Sequence, residues 1–188
     1  MKLTLARHAN VDENYKNCYN GHNDISLSKT GKKEAKEMCE LLDILKFDAI
    51  FCSDTHRAKE TLKYSTHAKK AIYSDKLREK SWGKHEGMNF DEIIEQGEIK
   101  YENFLQWIDA LDGEDYKEFM QRVKKFFFQY LPSLDKENIL VITHSGVIRV
   151  FLSILHDISL EDAFSIKIQY AKPIHYDIKN GDLKNAIL

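Results

Sequence analysis

The stretch Asn138-Ile139-Leu140-Val141-Ile142-Thr143-His144-Ser145-Gly146-Val147-Ile148-Arg149 decides how this chain is read. Four consecutive aliphatic residues, Ile139 to Ile142, make a run suited to a strand buried on both faces. Apolar residues then recur at helical spacing, at Val147, Phe151, Ile154 and Leu155. A buried strand, a short polar turn and an apolar helix are the unit of an α/β sheet protein.

Outward from this unit, three more β-rich runs stand out: Lys2–Ala6, Ala49–Cys52 and Ala71–Tyr73. Between them lie helical stripes. Thr30 is expected to cap a helix through Ala35, Met38, Cys39, Leu42 and Leu45. Phe119, Val123, Phe126, Phe127 and Tyr130 form a second stripe. The tail reads as a hairpin, His175–Ile178 with Leu183–Leu188 around Asn180-Gly181. Alternation of strand and helix predicts a three-layer α/β/α fold with a mostly parallel central sheet. In such sheets ligands sit outside the carboxyl ends of the strands, so functional residues should follow strands directly.

Three clusters do so: Arg7-His8, Ser53-Asp54-Thr55-His56-Arg57 and Thr143-His144-Ser145-Gly146. A fourth, Leu77-Arg78-Glu79, lies in a polar loop ahead of Trp82-Gly83 and Glu86-Gly87. Guanidinium forks match phosphate oxygens and keep their charge. Imidazole serves as a nucleophile or as a donor to developing charge. A carboxyl group can protonate a leaving alkoxide. The first N–H groups of the helix after His144 add a further anion site. Two arginines, two histidines and one glutamate are therefore a kit for phosphoryl transfer without a metal. Glu86 is the nearest rival to Glu79 for the acid. His56, His67, His85, His156 and His175 read as structural or surface residues.

Composition bounds the rest. The chain has 188 residues, 28 Lys+Arg against 30 Asp+Glu, and a formal net charge of −2. That balance argues against nucleic acid as a partner, since such domains are strongly basic. No apolar run is long enough for a membrane span. Three cysteines without CxxC spacing argue against a disulfide framework or a zinc site, and a cytoplasmic location is expected. P-loop, GxGxxG, GxSxG and HExxH patterns are missing, so no cofactor and no metal are expected.

The ordered motifs resemble the histidine phosphatase (phosphoglycerate mutase-like) superfamily. Leu5-Ala6-Arg7-His8-Ala9 resembles its Arg-His-Gly signature, and Asn14 stands where the downstream Asn falls. Gly21-His22-Asn23-Asp24 with Leu27-Ser28 and Gly31, then Ser53-Asp54 with Arg57-Ala58 and Thr61, resemble its next two elements. Leu77-Arg78-Glu79 and Thr143-His144-Ser145-Gly146-Val147-Ile148-Arg149 resemble its acid loop and second-histidine motif. The match runs in order from residue 5 to about residue 149 and covers most of the chain.

The resemblance implies a single histidine phosphatase-like domain over 1–188, with residues 89–120 as a small helical cap. It implies that His8 is the nucleophile and Glu79 the acid, and that His144 acts beside them. Arg7, Asn14, Arg57 and His144 would bind phosphate, and His22 would touch substrate. Ala9 and Ser145 depart from the usual glycines, which matters only where positive φ is required. The implied activity is hydrolysis of a small phosphorylated metabolite; the small size and motif spacing resemble the α-ribazole phosphatase branch and general sugar-phosphate phosphatases. A phosphoglycerate mutase and a non-catalytic phosphate-binding module are the alternatives. The sequence leaves oligomeric state open, with the C-terminal hairpin edge as a candidate contact.

Overall fold

A computed structural model describes residues 1–97, 99–179 and 182–186, with residues 179 and 182–186 described by their backbone alone. Six strands form one sheet: β1 (Lys2–Arg7), β2 (Ala49–Ser53), β3 (Ile72–Ser74), β4 (Asn138–Thr143), β5 (Ile174–Lys179) and β6 (Asp182–Ala186). The order is β3-β2-β4-β1-β5-β6. The four strands from β3 to β1 are parallel, and β5 and β6 add an antiparallel edge. The expected hairpin pairs as β5 and β6, with its Asn180-Gly181 turn outside the described residues. The third strand starts one residue later than expected.

β4 lies between β1 and β2, and each of Ile139 to Ile142 is fully buried. Side chains alternate across a strand, so its two faces serve two cores. Ile139 and Val141 join Leu3, Leu5 and Phe51 in one apolar cluster. Leu140 and Ile142 join Ala6, Ile50 and Cys52 in the other.

Helices α1 (Lys29–Asp43) and α2 (His56–Leu62) cover the second face through Ala35, Met38, Leu42, Ala58 and Leu62. Ser28, not Thr30, caps α1: its hydroxyl accepts from Gly31 N at 2.9 Å. Leu45 falls beyond the helix and is exposed, so the apolar stripe ends at Leu42.

Two short helices follow, α3 (Phe90–Glu95) and α4 (Phe104–Ala110). A longer one, α5 (Tyr116–Lys125), runs through a π-helical turn at Phe126–Tyr130 into α6 (Leu131–Ser133). Phe119, Val123, Phe126 and Phe127 are buried as their spacing predicts, while Tyr130 is exposed. α7 (Ser145–His156) and α8 (Leu160–Ser165) complete the first face. Among the described residues no helix is long and apolar enough to cross a membrane.

The central strand should carry a large share of stability. Ile142→Ala is expected to cost about 2–5 kcal/mol, the usual range for an aliphatic core truncation. Urea unfolding of the variant beside the wild type measures this, and an unchanged midpoint would contradict it.

Candidate active site

The carboxyl ends of β1, β2 and β4 converge because the strands are parallel neighbours. Arg7 pairs in register with Thr143, and His8 N donates to Thr143 O at 2.9 Å. This puts the rings of His8 and His144 5.1 Å apart, centroid to centroid.

His8 is 5% exposed, and its Nδ1 lies 2.8 Å from the carbonyl of Ala9. A carbonyl only accepts, so Nδ1 carries a proton and Nε2 keeps its lone pair in the neutral ring. Burial, then the Arg57 and Arg7 charges, hold the His8 pKa well below the ordinary 6.5. His144 is lowered in the same way by burial, Arg57 and His8. Its Nε2 meets Ser53 Oγ at 2.8 Å and Thr55 Oγ1 at 3.3 Å.

Arg57 is fully buried at the start of α2. Its Nη2 donates to the carbonyls of Gly21 and Asn20 at 2.6 and 3.1 Å, and Nη1 donates to Asn23 O at 3.1 Å. Burial pushes its pKa down to about 10, so it stays cationic at neutral pH. Arg7 lies 3.6 Å over the ring of Tyr170 and donates from Nη1 to Ile168 O at 3.0 Å. Three buried nitrogens of this cluster have no hydrogen-bond partner: Arg7 Nε, Arg57 Nε and His144 Nδ1.

Glu79 comes from the loop after β3. Its Oε2 accepts from Gly146 N at 2.8 Å, in the first turn of α7, and Oε1 accepts from Lys80 N at 3.2 Å. Gly146 is needed here, since a Cβ at that position would run into the Glu79 carboxylate. Glu86 serves a different purpose. Its carboxylate gathers the N–H groups of Gly21, His22, Asn23 and Trp82 at 2.7 to 3.4 Å, and so ties two loops together.

A cavity of about 230 Å³ includes Arg7, His8, Glu79, Ser145 and Gly146 among its walls. Its roof is apolar, built by Tyr19, Trp82, Phe104, Ile108, Tyr116, Phe119 and Phe164. Lys80 and Arg149 also line it. A larger groove of about 500 Å³, between β3 and α5, holds none of the predicted site residues.

Four expected residues are not among these walls: Arg57 and His144 are fully buried beside His8, behind the cavity surface, and Asn14 and His22 lie away from it. Asn14 sits on an exposed 3-10 turn capped by Asp12. His22 is exposed; its Nε2 donates to Glu79 O at 3.0 Å, so it touches the backbone of the acid loop instead. Neither Ala9 nor Ser145 has a positive φ, and Ala9 N donates to Thr61 Oγ1 at 3.0 Å, so both departures from glycine are free of backbone strain. Sequence reasoning missed Tyr170, Lys80 and Arg149 as cavity or arginine partners. Tyr170 lies in an irregular segment with no periodic signal. The charge of Lys80 disguises a side chain 1% exposed, packed 4.4 Å over the ring of Trp82.

The profile of the histidine phosphatase superfamily (branch 1) matches residues 3–185. The chain belongs to that family. Family and phosphatase relatives together support a phosphoric monoester hydrolase. Among curated relatives, it is 29% identical over 189 residues to 2,3-bisphosphoglycerate-dependent phosphoglycerate mutase 2 of Gloeobacter violaceus, spanning 93% of this chain and 84% of that one. It is 27% identical over 173 residues to adenosylcobalamin/alpha-ribazole phosphatase of Escherichia coli, spanning 89% and 85%. The fold superposes on a putative alpha-ribazole-5'-P phosphatase structure from Escherichia coli with a TM-score of 0.85 at 24% identity, covering 100% and 96% of the two chains.

The two site histidines give stability a predictable pH dependence. Their folded pKa values lie below 6.5, so the unfolded chain takes up protons that the folded chain refuses. Stability is therefore full above 6.5 and falls as pH drops below it. Urea midpoints should decrease from about pH 7.5 to about pH 5.5, and less steeply in His8→Asn. Equal slopes in the two proteins would contradict this.

Proposed function

We propose that this histidine phosphatase hydrolyses a small phosphate monoester through a phosphohistidine on His8. The observation that carries the proposal is a set of buried nitrogens without partners, Arg7 Nε, Arg57 Nε and His144 Nδ1, on residues that neighbour a neutral His8 imidazole. A phosphoryl group supplies oxygens to such a set, and bidentate guanidinium–phosphate pairs are strong, geometrically specific bonds.

In the first step His8 Nε2 attacks phosphorus and the ester P–O bond breaks. Glu79, in its acid form, passes its proton to the departing oxygen. Arg7, Arg57 and His144 stabilise charge on the three remaining oxygens. In the second step the Glu79 carboxylate takes a proton from water, the water oxygen attacks phosphorus, and the N–P bond breaks. Phosphate leaves and His8 returns to its neutral form. Two such displacements replace one harder one.

Residues 89–120 act as a helical cap in this reading, because α4 and α5 supply Phe104, Ile108, Tyr116 and Phe119 to the roof. The apolar roof favours a leaving group with a flat or hydrophobic body. α-Ribazole 5'-phosphate fits that description, and similarity to the adenosylcobalamin/alpha-ribazole phosphatase supports it; sugar phosphates are the other class. Similarity to the phosphoglycerate mutase supports a second reading, in which a substrate hydroxyl takes the phosphoryl group instead of water.

His8→Ala should lose at least about 10²-fold in turnover of an aryl phosphate, and wild-type protein should yield an acid-labile phosphohistidine on quenching. Turnover near wild type in His8→Ala would refute the nucleophile. A panel containing α-ribazole 5'-phosphate, sugar phosphates and 3-phosphoglycerate separates the substrates. Release of inorganic phosphate supports hydrolysis, and formation of 2-phosphoglycerate from 3-phosphoglycerate would establish mutase activity.

A further inference from the structure

Glu79 lies in Arg78–Trp82, a stretch with neither helix nor strand to fix its path. Such a segment takes its geometry from side chains that reach it. Three side chains do this: Glu86 accepts from Trp82 N, His22 donates to Glu79 O, and Arg122 holds the carbonyls of both Arg78 and Glu79. Arg122, on α5, is largely buried and makes five hydrogen bonds, matching the five N–H groups of a guanidinium. Nε and Nη2 donate to the Glu114 carboxylate at 2.8 and 2.6 Å. Nη1 donates to the carbonyls of Lys76 and Arg78 at 3.0 and 2.8 Å, and Nη2 also reaches Glu79 O at 3.4 Å.

We propose that Arg122 is a positioning residue for the general acid, with Glu114 as its anchor. The inference rests on the reading of Glu79 as that acid. The Glu79 carboxylate is held at its tip by Gly146 N, while Arg122 fixes the backbone from which the side chain projects. Both attachments are needed, because a carboxyl group held only at its tip swings with its loop. The planar fork matters as much as the charge. Lysine has three donors on one atom and cannot bridge a carboxylate and successive carbonyls at once. Glu114 N also donates to Ser81 O at 3.1 Å, so anchor and acid loop are stitched in backbone as well.

A defect in acid positioning has a signature that general destabilisation lacks. A leaving group of low pKa departs without a proton, whereas one of high pKa needs it. The test compares kcat/KM, which reports the first phosphoryl transfer, for 2,4-dinitrophenyl phosphate and phenyl phosphate. In Arg122→Met the value for phenyl phosphate should fall about tenfold to a hundredfold, with that for the dinitrophenyl ester within about threefold of wild type. Arg122→Lys and Glu114→Gln should shift the ratio in the same direction by less, and they carry the test if Arg122→Met fails to fold by near-UV circular dichroism. Glu79→Gln is the reference. If it discriminates between the two esters and the Arg122 and Glu114 variants do not, or lose both activities in parallel, the positioning role is wrong. If Glu79→Gln itself is indifferent to the leaving group, the acid assignment fails, and the inference falls with it.

Discussion

A fully buried guanidinium that no carboxylate neutralises at ion-pair distance, among the described residues, is the constraint around which this site is built. Burying a charge is expensive unless its hydrogen bonds are met. Arg57 meets those of its two terminal nitrogens with backbone carbonyls from Asn20, Gly21 and Asn23, which neutralise no charge, and leaves Nε open. The positive charge thus survives intact in a dry place. The 20–23 loop must hold its shape to supply those carbonyls, and Glu86 holds it by gathering N–H groups from the same residues.

Burial first, and that charge second, keep the histidines neutral. Buried beside Arg57 and Arg7, both imidazoles are held well below their ordinary pKa, so the nucleophile is free without any base to activate it. The Ala9 carbonyl completes the arrangement by fixing which nitrogen of His8 carries the proton. A neighbouring carboxylate would have done the opposite, by favouring imidazolium.

Much of this was legible in the sequence, for reasons that differ by residue. Ile139 to Ile142 announce a doubly buried strand because a short, β-branched aliphatic run between polar neighbours suits a strand covered on both faces. Arg7, His8, Arg57 and His144 were placed together by the rule that parallel strands collect function at their carboxyl ends. Asn14 and His22 were harder, because a loop residue's direction depends on caps such as Asp12 and on partners far along the chain. The cap of α1 was misplaced by two residues, since Ser28 and Thr30 are chemically alike and only backbone geometry chooses between them. Glu86 and Arg122 carry no local signal for what they do: one binds backbone 63 to 65 positions away, the other 43 to 46.

The Glu86 clasp has a consequence for how such a protein can change. Because it welds the phosphate floor to the loop bearing the acid, mutation cannot adjust either one alone. The part of the roof on the short helix α4 is outside that clasp, and its Phe104 stands partly in solvent. Inheritance therefore meets two zones of different freedom within one cavity, a reaction chamber that must be kept whole and an aromatic lining open to revision one side chain at a time.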